Sequence, residues 1–596
     1  MEPGLDCKYL VFLYMKKIIT VSHKISLLLS AFLLNMAVIS FAAEPGRALV
    51  AIPSGQIDVY LSWRLLASDP EDITFNVYRI LGEGAKPEKL NKEPISETTD
   101  FLDNNIPKET NPCWYVKPVL NGREGPASDM VSRPDPDQAF KSIKLEGDFK
   151  FMKVGVGDLN GDGRTDYLLK HPNCYIDPYF RNWHPSQGTY KLEAYTHDGQ
   201  LLWRKDLGWS IELGVWYSPL IVYDFDQDGK AEVALKYAEG DHREPDGKVR
   251  SGPEYIAVLN GESGNLIDKA AWLPRDRYGD KKPNEIDGQY NLMSRNLMTV
   301  AYLDGKTPHI IIERGTYGIM RASAFRFDGK KLHRIWEWDN EDLGDEYWSQ
   351  GGHFIHGADV DGDNKDEVIL GCCVVDDNGK ELWSAGLGHC DHNYIGDLDP
   401  NRPGLEIYYA IEGKMKQNGS CMVDAATGEV LWGLKHMSRH FHREGMVSDI
   451  DAEWPGAECY SGEQQYPIRF LWTAEGILIN TEDIGGLAPK AIYWDADLQR
   501  ELLVDRDIVS YRGDTHLVGV EGKYIMSADI VGDWREEIVT TIEGEMRIYT
   551  TSIPAECRHV WLMEDRLYRN DVATGAMGYL QIPMLSFDLA TYKDKR

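Results

Sequence analysis

An acidic turn that recurs between two apolar segments constrains the fold of this chain more than any other feature. Its strongest copies are VGVGDLNGDGRTDYLLK, LIVYDFDQDGKAEVALK and HGADVDGDNKDEVILG, in which the turn begins at Asp158, Asp224 and Asp359. Weaker copies follow at Tyr302, Asp397, Asp449, Asp495 and Asp529, which makes eight copies in all. A unit that repeats in this way indicates stacked supersecondary structures rather than several unrelated domains.

The second half of most copies is a hairpin with a glycine turn and often a tryptophan, as in HDGQLLW, DNGKELW and ATGEVLW. Each copy therefore predicts four short antiparallel strands. Eight such units predict an all-β chain with an eight-bladed β-propeller over residues 138–596. The copies differ in length, so long loops are expected on some blades, and long loops often carry function.

Residues 44–137 have a different pattern, with the short alternating strands VYLSW, ITFNVYRI and CWYVKPVL. The segment CWYVKPVLNGREGPASD resembles the last strand pair of a fibronectin type III sandwich, so we expect such a sandwich before the propeller. RPDPDQ, which begins at Arg133, predicts a linker.

The N-terminus predicts export. A short basic start at Met15, which is an alternative initiator, precedes an apolar run over 25–41 and small residues at the end of the run. These features predict a signal peptide over residues 1–43. A membrane anchor is the alternative, but Glu44 and the lack of a basic flank favour cleavage. We expect a secreted, periplasmic or cell-surface monomer without a membrane span after cleavage.

The net charge of −31 excludes nucleic acid as a partner, because no extended basic surface is available for phosphates. It fits a chain that collects carboxylates around divalent cations. The nine cysteines are scattered and show no CxxC spacing for a metal.

The three strongest turns place side-chain oxygens at positions 1, 3, 5 and 9, which suits the oxygen shell of calcium. These candidate ligands are Asp158, Asn160, Asp162 and Asp166; Asp224, Asp226, Asp228 and Glu232; and Asp359, Asp361, Asp363 and Glu367. An EF-hand would need a glutamate at position 12 and a following helix, whereas a strand follows here. We predict structural calcium in these turns over metal-free acidic turns. For the copies at Asp397, Asp449 and Asp529 both interpretations stay open.

The repeat also locates a candidate site. The residues six positions before each turn are expected to form a ring at one end of the channel: Met152, Ser218, Asn296, His353, Asp391, Arg443, Pro489 and Lys523. Ionisable groups at four of these positions predict a functional site, because ionisable groups that converge in a concavity are typical of one. Independently solvated strand ends are the alternative.

Neighbouring residues extend this site. GLGHCDH adds His389 and His392, REG adds Glu444, and Glu412 lies one strand beyond the Asp397 turn. His353, His389, Asp391 and Glu412 could together bind zinc, manganese or calcium. No Ser–His–Asp order, Walker loop or Rossmann fingerprint occurs in the sequence.

Long segments of residues 140–590 resemble the rhamnogalacturonan lyases of polysaccharide lyase family 11. They include HGADVDGDNKDEVILG, GLGHCDHNYIGDLDP and GDWREE. The resemblance implies an eight-bladed propeller with several calcium ions. It also implies elimination at the rhamnose–galacturonate bond of the pectin backbone, an acidic plant cell-wall polysaccharide. Of the two modes of cleavage we expect endolytic over exolytic action.

The resemblance also implies roles for individual residues. His353, His389, Asp391 and Glu412 match the family's cation site in the catalytic cleft, and Arg443 matches its catalytic arginine. Lys523 corresponds approximately to its catalytic lysine, in the altered setting VGVEGKYIM, and Tyr579 to its substrate-contacting tyrosine, in MGYLQIPML. We also predict His392 and Glu444 as substrate-binding residues.

The predicted chemistry is removal of the weakly acidic C5 proton of a uronate. A cation or guanidinium on the carboxylate stabilises the enolate-like transition state, and either Arg443 or Lys523 is the base. A hydrolase would need two carboxylic acids, for which Asp391 and Glu412 are the only evident pair. The alternative function is a calcium-binding propeller that acts in carbohydrate binding or adhesion without catalysis.

Overall fold

The computed structural model describes residues 46–107, 110–136, 138, 140–276 and 286–591. The predicted signal peptide, 1–43, lies outside these ranges. The described residues form one compact unit. The helices of the described ranges are too short or too polar to cross a membrane.

The N-terminal part contains a three-stranded and a five-stranded antiparallel sheet. The first consists of Val50–Pro53, Val59–Ser62 and Asp100–Asp103. The second consists of Glu88–Lys89, Thr74–Ile80, Cys113–Leu120, Arg123–Glu124 and Val131–Ser132. Along Cys113–Leu120 buried residues mostly alternate with partly exposed ones, and Trp63, Phe75 and Trp114 belong to the hydrophobic core of this part of the chain. This alternation is what a sheet with one covered face requires.

In the remaining described residues, eight four-stranded antiparallel sheets follow one another. We number them sheets 1 to 8 in chain order. The strands of sheets 1 to 4 are Lys153–Gly157, Asp166–His171, Lys191–Tyr195, Leu201–Asp206; Leu220–Tyr223, Glu232–Ala238, Glu254–Leu259, Leu266–Ala271; Asn296–Ala301, His309–Gly315, Met320–Phe327, Leu332–Asp339; and Ile355–Ala358, Glu367–Leu370, Cys373–Val375, Glu381–Ser384.

The strands of sheets 5 to 7 are Cys390–Gly396, Glu406–Ile411, Ser420–Asp424, Val430–Gly433; Met446–Ser448, Glu458–Gly462, Arg469–Trp472, Leu478–Asn480; and Lys490–Ile492, Glu501–Val504, Asp507–Val509, Thr515–Leu517. Sheet 8 combines Lys523–Ala528, Glu537–Ile542 and Glu545–Tyr549 with Lys141–Lys144. The last of these strands precedes sheet 1 in the chain, so the beginning and the end of the repeat region share one sheet, with Ile143 opposite Met546.

Each acidic turn joins the first and second strands of its sheet, as the sequence predicted. In sheet 2, for example, Tyr223 pairs with Glu232 on either side of the turn that begins at Asp224. The first strands are almost wholly buried, whereas most residues of the fourth strands are partly or fully exposed. The turns therefore lie at one end of the buried first strands, and the predicted ring residues lie at the other end.

The prediction of an all-β chain misses two α-helices, Ile286–Met293 and Arg566–Thr574, and the 3₁₀ helix Leu562–Glu564. Asp565 caps the C-terminal α-helix by accepting a hydrogen bond from Tyr568 N. This helix packs against the first strands of sheets 1 to 4. Nine residues rich in polar side chains carry no strong helical pattern, and tertiary contacts supply most of the stability of so short a helix.

Polar contacts join the C-terminal helix to several sheets. Arg569 donates to the Tyr223 hydroxyl at 2.7 Å and to the Tyr302 hydroxyl at 3.0 Å. Asp571 lies 2.8 Å from His356 Nδ1. The helix therefore contacts the first strands of sheets 2, 3 and 4, or the residues next to them, through polar side chains. The chain then continues to Tyr579.

Candidate active site

The predicted ring residues lie at the start of the first strands or up to three residues before them. Contacts join several ring neighbours. His353 Nε2 lies 3.5 Å from Asp391 Oδ1, and Asp391 Oδ2 accepts a hydrogen bond from Arg443 N. Lys523 Nζ lies 4.0 Å from Met152 Sδ. The structure thus brings His353, Asp391 and Arg443 together, as the repeat spacing predicted.

Four residues predicted as cation ligands converge beside Arg443. The ligand atoms of His353, His389, Asp391 and Glu412 all lie within 4.8 Å of one another. The two histidines and the aspartate are buried, and Glu412 is partly exposed. The family resemblance predicted this grouping, although these residues come from two sheets and their connecting loops.

Hydrogen bonding defines which atoms of the cluster are free. His389 Nδ1 donates to the Gly351 carbonyl, so Nε2 is the ring nitrogen that faces the cluster. That nitrogen is 2.8 Å from Glu412 Oε2, the distance of an ion pair. Burial, and then the neighbouring His389, hold the pKa of His353 well below its ordinary value, so its imidazole is neutral. The ligand atoms of the two histidines and two carboxylates converge closely enough to hold one divalent cation, which would replace the His389–Glu412 ion pair.

A second histidine pair, which sequence reasoning missed, adjoins this cluster. His442 Nδ1 lies 2.9 Å from Asp391 Oδ2, and His440 Nε2 lies 3.6 Å from Glu412 Oε1. His440 Nε2 and His442 Nδ1 are 3.1 Å apart. The sequence did contain an indication of this pair. His440 and His442 are alternate residues of the segment immediately before Arg443, and alternate residues of an extended segment face the same side.

Arg443 lies on a tight turn that His392 contacts from the buried side. Its φ of 64° is in the left-handed region, which is uncommon for a residue with a side chain. His392 is completely buried, with Nδ1 2.6 Å from the Arg443 carbonyl and Nε2 2.9 Å from Ser461 Oγ. A Cβ on Gly445 would lie 2.4 Å from His392 Nε2, so only glycine fits there. The predicted role of His392 in direct substrate contact does not agree with this burial, because both ring nitrogens are engaged.

Two buried lysines, Lys153 and Lys490, lie near Glu444, and Lys490 also lies near Arg443. Burial lowers the pKa of Lys153 to about 7, with further influence from Glu444, Lys490 and Lys523. Burial lowers the pKa of Lys490 as well, with Glu444 and Arg443 as its charged neighbours. The Lys523 side chain is exposed, donates to Asn173 Oδ1 at 2.9 Å, and has a pKa lowered by partial burial of the amine.

Aromatic rings line the side of the site next to His353. Tyr579 packs edge-on against Trp216, with ring centroids 4.9 Å apart, and against His353 at 5.3 Å. Tyr317 packs against His389 at 3.9 Å and its hydroxyl lies 3.4 Å from His353 Nε2. Sequence reasoning included Tyr579 and missed Tyr317. Tyr175, 44% exposed, adds a ring near Tyr579 on the solvent side.

The three strong acidic turns contain buried carboxylates. Burial raises the pKa of Glu232 and Glu367 to about 8, and Glu367 Oε1 is buried without a hydrogen-bond partner. Ligand atoms converge within 4.8 Å in the sets Asp224, Asp226, Glu232 and Asp359, Asp361, Glu367. Clustered buried carboxylates repel one another, so a bound cation fits both turns.

Other predicted turn ligands have protein partners. In the first turn, Asp158 accepts hydrogen bonds from Gly161 N and Gly163 N, each at 2.7 Å. Both oxygens of Asp166 accept backbone hydrogen bonds, and Asp162 Oδ2 lies 3.4 Å from His197 Nδ1. The remaining predicted ligands are also engaged with neighbouring turn groups: Asn160, Asp228 and Asp363.

The turn at Asp529, for which calcium and a metal-free turn were both open, combines protein partners with unbalanced buried charge. Asp529 accepts hydrogen bonds from Gly532 N at 2.7 Å and Leu562 N at 2.9 Å, and the buried guanidinium of Arg64 lies near it. Burial, and then the neighbouring Asp533, nevertheless raise the pKa of Asp529 well above its ordinary value, and Glu537 Oε1 is buried without a hydrogen-bond partner. Both interpretations therefore stay open for this copy.

Comparison with known proteins shows two matching domain families. Residues 132–595 match the model described as "Rhamnogalacturonan lyase family 11, C-terminal domain". Residues 43–133 match "Rhamnogalacturonan I lyases beta-sheet domain". The two matches meet close to the boundary between the N-terminal sheets and the strand Lys141–Lys144.

Related proteins match this chain along most of its length and most of their own. The chain is 35% identical to the rhamnogalacturonan endolyase YesW of Bacillus subtilis (strain 168), over 91% of this chain and 90% of that protein. It is 34% identical to the exolyase YesX of the same organism, over 91% and 95%. The crystal structure of YesW matches with a TM-score of 0.82 over 91% of this chain and 96% of that one. A Bacillus licheniformis rhamnogalacturonan lyase matches with 0.81, at 35% identity, over 92% and 97%. Because the family model covers most of the chain and the relatives match along almost their full length, the chain belongs to rhamnogalacturonan lyase family 11.

Proposed function

We propose that this protein is a secreted rhamnogalacturonan lyase, which cleaves the rhamnose–galacturonic acid bond of rhamnogalacturonan I by β-elimination and leaves an unsaturated uronide. The single observation that carries the proposal is the convergence of His353, His389, Asp391 and Glu412 next to Arg443. The names of the Bacillus relatives, an endolyase and an exolyase for rhamnogalacturonan, support the substrate class.

The proposed chemistry uses positive charge on one side of the uronate and an amine on the other. His353, His389, Asp391 and Glu412 would hold a divalent cation, for which calcium, zinc or manganese are candidates, and it would supply positive charge for the enolate-like form of the carboxylate. Arg443 adds a guanidinium, and its turn is fixed through Asp391 and His392. Partial burial favours the neutral amine of Lys523, so we assign it as the base that removes the C5 proton.

The remaining predicted residues have supporting roles in this proposal. His392 positions the Arg443 turn, which replaces the direct substrate contact predicted from the sequence. Glu444 acts on Lys153 and Lys490, and so balances the positive charge of the site. Tyr579 offers a ring on which a sugar can stack.

We further propose that the eight sheets are the blades of one closed propeller, with calcium in the strong acidic turns. Closure is supported by strand Lys141–Lys144, which completes sheet 8, and by contacts between the first strands of sheets 8 and 1. Close packing of neighbouring blades is supported by Gly155 of sheet 1, where a Cβ would lie 2.6 Å from Val222 Cγ2 of sheet 2. The two N-terminal sheets form the fibronectin type III-like sandwich. We also propose a monomer that is exported by the signal peptide at 1–43.

An elimination assay tests the proposed function. Purified protein with rhamnogalacturonan I and calcium is expected to increase ultraviolet absorbance, because each cleavage creates a conjugated double bond in the uronide. Polygalacturonate is the matched substrate control, since it lacks rhamnose. Absence of an increase on several uronate polymers would contradict the lyase. Binding of the polymer without any increase would instead support the non-catalytic carbohydrate-binding alternative.

The mode of cleavage is tested with the same substrate, and we propose internal cleavage. The expected result is a fall in viscosity at a small extent of reaction, with a broad range of product sizes. Release of disaccharides alone, at nearly constant viscosity, would assign exolytic action instead.

The pH dependence of the reaction is expected to depend on Lys523. Its folded pKa is lowered below 10.5, and the neutral amine is the active form, so kcat/KM should rise with pH and level off below 10.5. Lys523→Gln should lower kcat/KM by about 10²-fold and remove this rise. Lys205→Gln, on sheet 1, is the control. The same rise in the Lys523→Gln variant would show that another group is the base.

Removal of calcium is expected to lower the thermal unfolding midpoint of the protein. Each ion that binds only the folded state stabilises it, by about 2.7 kcal/mol at 100 times its Kd. Asp224→Asn with Asp226→Asn should reduce the increase in midpoint that calcium produces. Asp328→Asn, in a turn outside the acidic copies, is the matched control and should respond to calcium as the native chain does. An identical midpoint with chelator and with calcium would contradict calcium in the turns.

A further inference from the structure

The two carboxylates of the proposed cation site each face two different histidines. Asp391 Oδ1 lies 3.5 Å from His353 Nε2, whereas Asp391 Oδ2 lies 2.9 Å from His442 Nδ1. Glu412 follows the same pattern, with Oε2 2.8 Å from His389 Nε2 and Oε1 3.6 Å from His440 Nε2. Each carboxylate therefore has one oxygen directed to each of two histidine pairs.

The second histidine pair has the separations that ligands of one metal require. His440 Nε2 and His442 Nδ1 are 3.1 Å apart, and the latter is 2.9 Å from Asp391 Oδ2. Nitrogen and oxygen ligands about 2.1 Å from a common metal are separated by distances of this size. The ligand atoms of Asp391, His440 and His442 lie within 4.8 Å of one another. A carboxylate that bridges two ions is a common arrangement in two-metal sites.

The composition of this group separates it from the acidic turns. Calcium prefers oxygen ligands, and the turns offer carboxylate and amide oxygens. Two imidazoles with carboxylate oxygens instead favour zinc and other transition metals, and the first site has the same donor types.

We propose that His440 and His442, together with Asp391 and Glu412, form a second divalent-metal site that prefers Zn²⁺ to Ca²⁺ and shares both carboxylates with the first site. The second ion would lie beside the Arg443 turn, and so would add positive charge where the uronate carboxylate of the proposed function binds. The site itself does not depend on lyase activity, because its ligands are present whatever the substrate is.

Zinc binding to the full chain tests this proposal. Protein treated with chelator and then dialysed into millimolar calcium is equilibrated with Zn²⁺, and bound zinc is counted by elemental analysis. The double variant His440→Ala/His442→Ala is expected to bind one zinc ion fewer than the native chain. Each single variant should weaken the affinity for this ion by at least about 100-fold, since the loss of one ligand exceeds the effect of a second-shell change. His436→Ala, an exposed histidine of the same segment, is the matched control.

Cobalt gives a second readout that does not depend on counting ions. Co²⁺ in the native chain should show visible absorption bands of a nitrogen- and oxygen-ligated ion, part of which is lost in the double variant. Circular dichroism of the variants checks that they fold. Equal zinc stoichiometry and affinity in the native and double-variant chains would overturn the proposal and leave a hydrogen-bonded histidine pair. That result would leave the lyase proposal unaffected, because the ultraviolet assay tests that proposal separately.

Discussion

Arg443→Ala is expected to lower kcat/KM on rhamnogalacturonan I by about 10²- to 10³-fold, the usual effect of removing one donor that stabilises developing negative charge. The guanidinium is exposed beside the cation cluster, on a turn fixed by Asp391 and His392. Alanine removes the side chain while the backbone hydrogen bond to Asp391 stays available. Initial rates from ultraviolet absorbance, over a range of substrate concentrations, measure the effect.

The matched control is Arg439→Ala, an exposed arginine four residues upstream. The kcat/KM of this variant should equal that of the native chain. Its unfolding midpoint measures the effect on stability of losing a surface arginine. Arg443→Lys is expected to recover only part of the rate, because an ammonium lacks the planar fork of a guanidinium. Arg443→Ala with native activity would remove Arg443 from the proposed mechanism.

The largest expected effect on stability comes from Arg500→Leu, at about 3–5 kcal/mol of the free energy of unfolding. Arg500 is 3% exposed and lies 3.1 Å from Glu536, which is fully buried. Arg500 also donates to the Pro583 carbonyl at 2.9 Å, so the pair links sheets 7 and 8 to the C-terminal segment. Leucine would leave the Glu536 charge buried with only the Tyr568 hydroxyl and Tyr493 N as partners.

Urea unfolding measures this loss as a change in midpoint. Arg512→Leu is the control, since its ion pair with Asp451 spans 3.9 Å at the surface, and its effect should stay within about 0.5 kcal/mol. Adding Glu536→Gln to Arg500→Leu should recover part of the stability, because it removes the unpaired charge. An Arg500→Leu effect no larger than that of Arg512→Leu would show that the pair contributes little.

Sequence periodicity predicted the local parts of the structure well. Each acidic copy forms the turn between the first two strands of a sheet, and the described residues contain as many four-stranded sheets as the sequence has copies. Counting back from the turns also located His353, Asp391 and Arg443, which are in contact. This works because strand length and turn position are set by neighbours in the chain, and repetition transfers one register to every copy.

Residues without a periodic pattern could not be located in this way. His440 and His442 precede a ring position, yet their relevance depends on Asp391, about fifty residues earlier and on another sheet. The complete burial of His392 could not be predicted either, because Ser461 and Gly445 enclose it only after sheets 5 and 6 pack together. Short polar segments, such as the helix Arg566–Thr574, carry too little local preference to be recognised.

The sequence alone therefore determined the repeat, its acidic turns and the register of the candidate site, because these depend on residues that are close in the chain. The tertiary structure alone decided which charges meet across the chain. It placed Arg64 of the N-terminal sheets beside the turn at Asp529, and brought two histidine pairs to the same two carboxylates. Such contacts join residues hundreds of positions apart or on different sheets. They form only when the whole chain folds, so no local sequence pattern predicts them.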